Sequence, residues 1–363
     1  MRVALITSLL GGGPVEHAIV LTAGLVGAGA AVQAICASEP LAARLAAAGA
    51  DVALVPLESA RDLPHALEIR RLVRGADVVH AQDRRAGLWT RLLPRPARQA
   101  LVYTIHGLPD PYLPPPAGPA RPGWRAVLAY RGLDVALGRR ADCVVTPTSA
   151  MRQALVHRVG WPAHRVTVVP NGVAIASPAG EGTAVGTLSV LEPVKGLPVF
   201  LQAAQQLASE RPGLPLVLFG SGSQEGALRE QAVALGLGGR VEFAGHVATR
   251  DALERMAVLA LPSLMENGPM AMLEAMAAGV AVVASRVGGI PELAPEGTAL
   301  LVPPGDPDAL AAAIGALLDD PARRRAQAAH ARVHVEREAS QTVMTRRMLA
   351  VYDRAIATRR SAA

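Results

Sequence analysis

Lysine is almost absent from this chain. Lys195 is the only lysine among 36 lysine and arginine residues, and all the others are arginine. A codon bias explains the general scarcity, but it does not explain why one ammonium remains. The residue lies in the stretch VLEPVKGLP (190–198), where an apolar run gives way to a turn and then to a helical pattern. We therefore treat Lys195 as a candidate functional residue.

Cysteines, aromatic residues and long apolar runs are also scarce. Two cysteines, Cys36 and Cys143, stand far apart, which argues against a disulfide framework and fits a reducing compartment. Aromatics make up 3%, so the cores must consist of Ala, Val and Leu. No window approaches the ~20 apolar residues of a membrane span, and the first 13 residues read as a strand and a glycine turn, not as a signal peptide. We expect a cytoplasmic protein.

Positive charge is concentrated in the first half of the chain. Residues 1–173 hold 19 arginines against 11 acidic residues, a net +8, whereas the formal charge of the whole chain is +6. This favours an anionic partner or peripheral contact with an anionic membrane, although a solvated arginine surface explains it equally well. The segment RRAGLWTRLL (84–93) mixes Arg with Leu and Trp and would suit lipid, but an ordinary surface helix is the simpler interpretation. We expect no nucleic-acid partner.

Short β-rich runs alternate with Ala- and Leu-rich helical stretches along both halves of the chain. This alternation predicts an α/β protein with parallel sheets covered by helices, in two doubly wound Rossmann-like domains that face a cleft. Ligands of such sheets bind beyond the carboxyl ends of the strands. The small-residue stretch AIASPAGEGTAVG predicts a linker. We expect a first domain at 1–173, a second at 174–340, and a C-terminal helix at 341–363 that returns to the first domain.

Two short motifs are too weak to define a site. GGGPVEHA (11–18) follows a strand and opens a helix, so Gly12 and Gly13 allow the backbone to approach a ligand. As a dinucleotide fingerprint it fails, because Glu16 replaces the third glycine. GDPDAL (305–310) contains a D-x-D that would suit Mg²⁺ beside a diphosphate. An acid in the first turn of the helix that follows also serves as a cap, which we favour, and we expect no metal.

Two histidines close predicted strands. His80 ends ADVVHA and His106 ends ALVYTIH, so both stand at the strand edge where ligands bind. A strand-end histidine can equally serve the structure by bonding backbone. We favour a functional role for His106, because Gly107 and a proline-rich loop follow it, and a structural role for His80.

The most specific segment is LPSLMENGPMAMLEAMAAGVAVVASRVGGIPEL (261–293). Glu266 lies in a loop after a strand, and Pro269 is predicted at the first helical position. The free amides of Met270 and Ala271 would then face an anion, with Glu274 one turn later. Carboxylates suit ligands rich in hydroxyls. The pattern describes an anion between two polyol contacts, as in a nucleoside diphosphate sugar, although two solvated glutamates on an amphipathic helix are the alternative.

At this point the chain resembles, over nearly its full length, the retaining GT-B glycosyltransferases of family 4. The motifs occur in the order and spacing of that family, and the Glu-x7-Glu element is specific in this setting. They are GGGPVEHA, DVVHAQD, TIHG, ADCVVTPT, VTVVPNGV, EPVKG, RVEFAGHV, PSLMENGPMAMLEAMAAGVAVVAS, VGGIPEL and ALLVPPGD.

The resemblance implies a role for each matching residue. Glu274 would bind the ribose of the donor, Glu266 the hydroxyls of the transferred sugar, and Lys195 the diphosphate. Met270, Ala271 and the neighbouring Gly268 would assist at the diphosphate, and Val247 would hold the base through its backbone. Gly12 and Gly13 would approach the diphosphate and sugar from the first domain, and His106 would contact the sugar. The implied reaction retains the anomeric configuration and requires no metal or other cofactor.

One departure from the family pattern concerns the phosphate site. The family carries Gly-Arg-Leu before the Pro-x-Lys-Gly, whereas this chain has Ser189, Val190 and Leu191, so one phosphate cation is missing. Two alternatives therefore stay open beside a transferase with an unknown acceptor. One is a catalytically weak or silent sugar-nucleotide-binding protein. The other is a GT-B epimerase or phosphorylase-like enzyme whose single lysine carries pyridoxal phosphate.

Overall fold

The computed structural model of the protein describes residues 1–57, 59, 62–108 and 124–362. The proline-rich loop predicted after His106 falls largely outside these residues. The chain forms two compact units, one of Met1–Gly172 with Gln341–Ala363 and one of Val173–Ser340. Each unit consists of a parallel sheet with helices on its faces, as the alternating pattern predicts. None of the described helices combines the length and apolar character needed to cross a membrane.

The first unit contains a seven-stranded parallel sheet in the order β3-β2-β1-β4-β5-β6-β7. Its strands are β1 Arg2–Ile6, β2 Ala31–Cys36, β3 Asp51–Leu54, β4 Val78–Ala81, β5 Ala100–Thr104, β6 Cys143–Thr146 and β7 Val166–Val168. Its helices are α1 Gly13–Gly27, α2 Glu39–Ala47, α3 Leu63–Leu72, α4 Arg84–Leu92, α5 Trp124–Tyr130, α6 Ala136–Gly138, α7 Ser149–Ala154 and, from the chain's end, α15 Gln341–Ala362.

The second unit contains a six-stranded parallel sheet in the order β10-β9-β8-β11-β12-β13. Its strands are β8 Ala184–Leu188, β9 Leu216–Phe219, β10 Val241–Gly245, β11 Met256–Leu261, β12 Ala281–Ser285 and β13 Leu300–Val302. Its helices are α8 Leu197–Glu210, α9 Glu225–Ala234, α10 Thr249–Arg255, α11 Met270–Ala278, α12 Ile290–Leu293, α13 Pro307–Asp319 and α14 Pro321–Glu338.

Both faces of each sheet are buried, which is why the strands read as continuous apolar runs. In β1, Ala4 and Ile6 pack into one core cluster while Val3 and Leu5 pack into the other, because successive side chains of a strand point to opposite faces. The cores consist largely of Ala, Val, Leu and Ile, as the scarcity of aromatics requires.

The predicted return of the C-terminal helix to the first unit is confirmed. Met344, Met348 and Tyr352 of α15 are buried in the same cluster as Leu21 and Leu25 of α1. Two helices form the end of the chain: α14 ends at Glu338, and α15 begins at Gln341. The first of them, α14, packs on α11 in the second unit.

The strand orders locate the ligand-binding edge of each sheet. In a doubly wound sheet, ligands bind beyond the carboxyl ends of the strands at the point where the strand order reverses. That point lies between β1 and β4 in the first unit and between β8 and β11 in the second. The loops that follow β1, β8 and β11, together with the helix starts after them, carry most of the residues that the sequence analysis selected.

Candidate functional site

Lys195 lies in the loop after β8, at the reversal point of the second sheet. It ends a short 3-10 turn, Pro193–Lys195, just before α8. The next residue, Gly196, has a φ of 62°, and a Cβ there would lie 2.1 Å from the carbonyl oxygen of Pro262. The amide of Leu264 donates to the carbonyl oxygen of Val194 at 2.8 Å. The loops after β8 and β11 are therefore packed backbone against backbone, and only glycine fits at position 196.

Glu266 lies in the other of these loops, and its side chain pairs with Lys195. The Lys195 Nζ lies 2.7 Å from Glu266 Oε1, and the Ser263 hydroxyl donates to the same oxygen at 2.8 Å. The Glu266 side chain is 8% exposed and that of Lys195 is 21% exposed. The sequence analysis assigned the two residues to different parts of a donor, and the structure brings them together as one ion pair.

The VGGIPEL segment holds the Glu266 backbone in place. The amide of Gly289 donates to the carbonyl oxygen of Glu266 at 3.1 Å. Gly288 has a φ of 51°, and a Cβ there would lie 1.8 Å from the same oxygen. The loop that follows β12 thus packs directly against the loop that carries Glu266, and it requires glycine to do so.

Helix α11 begins beside this pair, at Met270. Pro269 is its N-cap residue, so the prediction that it occupies the first helical position was wrong by one residue. The first amides of a helix have no partner inside the helix, which leaves those of Met270 and Ala271 available to an anion. Gly268, just before the helix, is partly exposed.

Glu274 lies one turn further along α11, at a cavity of about 190 Å³. Ser177, Thr249 and Arg250 are also among the residues that line this cavity, together with several alanines and Leu253. Val247 precedes α10 and packs, partly buried, against the core of the second unit. This arrangement can bind a ligand with several hydroxyl groups.

Val190, at the position of the missing cation, is 45% exposed. Close to it, Glu192 accepts hydrogen bonds from the Ser223 amide at 2.9 Å and the Ser223 hydroxyl at 2.7 Å. These bonds lower the pKa of Glu192. Gly220 and Gly222 pack against the same loop, because a Cβ on them would lie 1.8 Å from the Ser189 oxygen and 2.6 Å from the Leu191 oxygen. Gly220 and Gly222 are therefore needed for backbone packing.

At the reversal point of the first sheet, the loops after β1 and β4 are joined by hydrogen bonds between Ser8 and Asp83. Asp83 accepts hydrogen bonds from the Ser8 amide at 2.5 Å and the Ser8 hydroxyl at 2.8 Å, and it also caps α4. Gly12 ends the loop after β1 with a φ of 85°, and Gly13 is the first residue of α1. No described atom beyond Pro14 lies near a Cβ built on Gly12. The backbone of this loop is open to a ligand.

His106 is held by a residue that the sequence analysis did not select. Its Nε2 lies 3.2 Å from Oε1 of Gln82, which is fully buried at the end of β4. Because an amide oxygen only accepts, His106 donates from Nε2 and keeps Nδ1 as an acceptor. The signal was visible in DVVHAQD, where a polar residue follows the strand that ends in His80.

His80 has the structural role that the sequence analysis favoured, although its partners are side chains and not backbone. Its two ring nitrogens lie 2.7 Å from the Tyr352 hydroxyl and 2.7 Å from the Thr104 hydroxyl. Tyr352 belongs to α15, so His80 ties the C-terminal helix to the sheet. His17, in α1, stacks edge-on against His106 with 4.9 Å between ring centroids.

All three imidazoles are neutral at pH 7. Burial lowers the pKa of His17 to about 4, a shift that the side chain of Asn171 opposes. Burial, assisted by the neighbouring His17, lowers the pKa of His80 to about 3. Burial, with His17 and His80 nearby, holds the pKa of His106 well below its ordinary value. His106 can therefore offer a neutral donor and acceptor, but no positive charge.

Helix α4 has its Trp and its last arginine inside the protein. Arg91 is fully buried, with its Nη2 3.0 Å from Asp134 Oδ1 and its guanidinium 4.8 Å from the centre of the Tyr103 ring. Trp89 is 9% exposed. Helix α4 thus has one face buried in the first unit.

The D-x-D motif serves helix α13. Asp306 Oδ1 accepts from the Ala309 amide at 2.9 Å as the N-cap, and Asp308 accepts from the Gln206 side chain. In the part of the chain that the structure describes, no three His, Cys, Asp or Glu side chains are grouped as a metal site.

Comparison with known proteins gives consistent matches. Residues 11–177 match the family described as Glycosyltransferase Family 4, and residues 182–320 match that described as Glycosyl transferases group 1. A GDP-mannose-dependent monoacylated alpha-(1-6)-phosphatidylinositol monomannoside mannosyltransferase of Corynebacterium glutamicum is 35% identical over 44% of this chain and 44% of its own length. A glycogen synthase of Mycobacterium tuberculosis is 30% identical over 71% of this chain and 64% of its own. The matches thus span less than two thirds of these relatives.

Solved structures show the same fold. Anabaena Alr3699/HepE in complex with UDP-glucose superposes with a TM-score of 0.83 at 21% identity, over 97% of this chain and 99% of that one. Sucrose-phosphate synthase of Thermosynechococcus elongatus superposes with a TM-score of 0.81 at 21% identity, over 98% and 99%. The predicted GT-B fold is confirmed.

Proposed function

Because the chain belongs to the group 1 glycosyl transferases of family 4, we propose that it is a retaining glycosyltransferase. It transfers a sugar from a nucleoside diphosphate sugar to an acceptor and requires no metal. The observation that carries the proposal is the Lys195–Glu266 pair, with 2.7 Å between its charged atoms, at the reversal point of the second sheet beside the start of α11. Glu274 follows one helical turn later.

The donor's diphosphate is assigned to Lys195 and the start of α11. An ammonium has three N–H donors, and the contact with Glu266 uses one of them, so two remain for phosphate oxygens. The amides of Met270 and Ala271 add two more donors. Negative charge accumulates on the diphosphate as it leaves. Donors that are already oriented toward that charge stabilise the transition state without rearranging.

The ribose, the sugar and the base of the donor are assigned to other residues of the second unit. Glu274, with the hydroxyls of Ser177 and Thr249 around its cavity, is assigned to the ribose. Glu266 is assigned to the sugar hydroxyls, and Val247 to the base through its backbone. Attack from the face that the diphosphate leaves requires no protein nucleophile and retains the anomeric configuration. The configuration of the first-formed product, read by NMR, tests this point, and inversion would refute it.

The first unit is proposed to bind the acceptor. Gly12, Gly13 and His106 of this unit are assigned to the donor, the glycines to its diphosphate and sugar and His106 to its sugar. The basic character of this unit favours an anionic acceptor or an acceptor in an anionic membrane.

A donor-binding experiment tests the proposal. We expect one of the UDP-, GDP-, ADP- or TDP-sugars to stabilise the protein against unfolding, by ~2.7 kcal/mol at a hundred times its Kd. Glu274→Ala should weaken that stabilisation, whereas Glu296→Ala, an exposed glutamate of the same unit, should not. Equal stabilisation of both variants, or none by any donor, would contradict the assignment.

A silent sugar-nucleotide-binding protein is the second candidate, favoured by the exposed Val190 where the family has a phosphate cation. This alternative predicts that the donor stabilises the protein against unfolding to the same extent, but that no nucleoside diphosphate is released.

A further inference from the structure

Gln82, which follows β4, is a fully buried side chain between two histidines. Its backbone amide donates to the Ile6 oxygen at 2.8 Å and so continues the pairing of β4 with β1. Its side-chain Oε1 lies 3.2 Å from Nε2 of His106, and its side-chain Nε2 lies 3.3 and 3.2 Å from the two ring nitrogens of His80. Gln82 therefore connects a residue assigned to the donor sugar with a residue of the core.

The contact with His80 decides which end of the Gln82 side chain faces His106. Each ring nitrogen of His80 already has a hydroxyl at 2.7 Å, from Tyr352 or from Thr104. An atom nearly equidistant from both nitrogens would collide with ring carbons if it lay in the ring plane, so the Gln82 amide lies over the ring face. Burial lowers the pKa of His80 to about 3, so the ring is neutral and its face attracts an N–H and repels an oxygen. The NH₂ of Gln82 therefore faces His80, and its oxygen faces His106.

This orientation fixes the place of the proton on His106. A neutral imidazole has one N–H, and the Gln82 oxygen accepts it from Nε2. Burial, with His17 and His80 nearby, holds the pKa of His106 well below its ordinary value, so no second proton is added at neutral pH. The ring of His17 packs edge-on against that of His106 and limits its rotation. His106 is partly exposed, and no described residue offers its Nδ1 a hydrogen-bond partner, so this lone pair is left for a ligand.

From these contacts we propose that Gln82 is a positioning residue, which holds His106 in the Nε2–H tautomer and so makes its Nδ1 the acceptor for one hydroxyl group of the bound sugar. The identity of the ligand rests on the proposed function, whereas the tautomer is a property of the free protein. An acceptor at this point selects a ligand group that donates a proton, and it rejects an ether oxygen, a carbonyl oxygen or a fluorine. Gln82 thereby contributes to the choice of donor without touching it.

The tautomer is observed directly by NMR of the protein labelled with ¹⁵N-histidine, without donor or acceptor. A ring N–H that is bonded to a buried oxygen exchanges slowly with water. The wild type should therefore show a one-bond ¹H–¹⁵N signal from Nε2 of His106 at neutral pH. His106→Asn identifies that signal among those of the nine histidines. A proton on Nδ1, or nitrogen shifts averaged between the two tautomers, would overturn the proposal.

Variants of Gln82 test whether this residue fixes the tautomer. Gln82→Leu removes the acceptor, so the signal should be lost and the nitrogen shifts of His106 should become averages of two tautomers. Gln82→Glu keeps an oxygen toward Nε2 and should retain the signal. Gln99→Leu is the matched control, because Gln99 is also buried in the first unit but donates to the Val73 and Ala76 oxygens. A retained signal in Gln82→Leu, or its loss in folded Gln82→Glu or Gln99→Leu, would contradict the assigned role.

Donor analogues that each lack one sugar hydroxyl connect the tautomer with turnover. In the wild type, loss of the hydroxyl that contacts Nδ1 should lower kcat/KM by about tenfold, the scale of one hydrogen bond. In Gln82→Leu the same analogue should lose much less relative to the parent donor, whereas in Gln99→Leu it should lose as much as in the wild type. An equal loss in wild type and Gln82→Leu would overturn the effect of Gln82 on donor choice. The predicted NMR signal without turnover of any donor would instead count against the proposed function.

Discussion

At the scale of single residues, the ion pair explains why the chain keeps one lysine. Lys195 is 21% exposed, in a loop whose next residue packs against the Pro262 oxygen. Its ammonium contacts Glu266 at 2.7 Å and, in the proposed role, also donates to phosphate. A compact point charge on a flexible stem can do both, whereas the planar fork of arginine needs more room and a fixed approach.

Lys195 should therefore resist replacement by arginine. We expect Lys195→Ala to lower kcat by ~10²–10³, the scale for removing one preoriented electrostatic contact. Lys195→Arg should leave a deficit of at least about tenfold, roughly 1.4 kcal/mol. Steady-state kinetics with the cognate donor measures both, and Arg229→Lys, in the surface pair with Glu225, is the control. Wild-type kinetics in Lys195→Arg would mean that the single lysine is an accident of composition.

Replacement of Glu274 and replacement of Glu266 should change different kinetic constants. Glu274→Ala should mainly raise KM, because ribose contacts are alike in the ground and transition states. Glu266→Ala should mainly lower kcat, since this residue is assigned to the reacting sugar and also pairs with Lys195. Glu266→Gln keeps an acceptor for Ser263 but loses the charge, so it separates hydrogen bonding from ion pairing. If both alanine variants change KM alone, the role assigned to Glu266 is wrong.

At the scale of elements, helices with clear end signals could be predicted from the sequence. The starts of α8 and α13 are marked in the sequence, because Gly196 precedes α8 and Asp306 caps α13. The C-terminal helix, expected from residue 341, begins at Gln341. The Lys195–Glu266 contact, by contrast, could not be predicted. It depends on how two loops 71 residues apart pack, and no periodic pattern encodes that.

The cap of α13 gives a prediction at this scale. Asp306→Ala should lower the free energy of unfolding by ~1 kcal/mol, as for other N-cap acids, and leave kcat unchanged. Asp320→Ala is the matched control, because Asp320 caps α14 through the Arg323 amide at 2.9 Å and is not part of a D-x-D.

Activity should also survive EDTA. Loss of turnover in chelator, restored by Mg²⁺ or Mn²⁺, would show that the motif binds metal.

At the scale of the whole molecule, the buried histidines set the response to acid. The pKa values of His17 and His80 in the folded protein are about 4 and about 3, below the ~6.5 of an unfolded chain. Between pH 6.5 and 4 the unfolded chain therefore binds protons that the folded protein does not. As the pH is lowered through this range, the free energy of unfolding should decrease by about 1.4 kcal/mol per pH unit for each such histidine.

Denaturant unfolding at several pH values checks this response. His80→Gln should have a shallower slope than the wild type by about 1.4 kcal/mol per pH unit between pH 6.5 and 4.5. Burial raises the pKa of Asp142 to about 6, which acts in the opposite direction, but this effect is common to both proteins and cancels in the difference. An identical slope in the two proteins would show that His80 takes up its proton in the folded state.

The most direct test of the account is turnover of the donor. Wild type and Lys195→Ala are incubated with each of the UDP-, GDP-, ADP- and TDP-sugars and a panel of sugar and glycolipid acceptors, and free nucleoside diphosphate is measured. The account predicts that one donor is turned over, that an acceptor accelerates it, and that the Lys195→Ala rate is lower by ~10²–10³. Release at equal rates by the two proteins, or no release from a donor that nevertheless stabilises the fold, would contradict it.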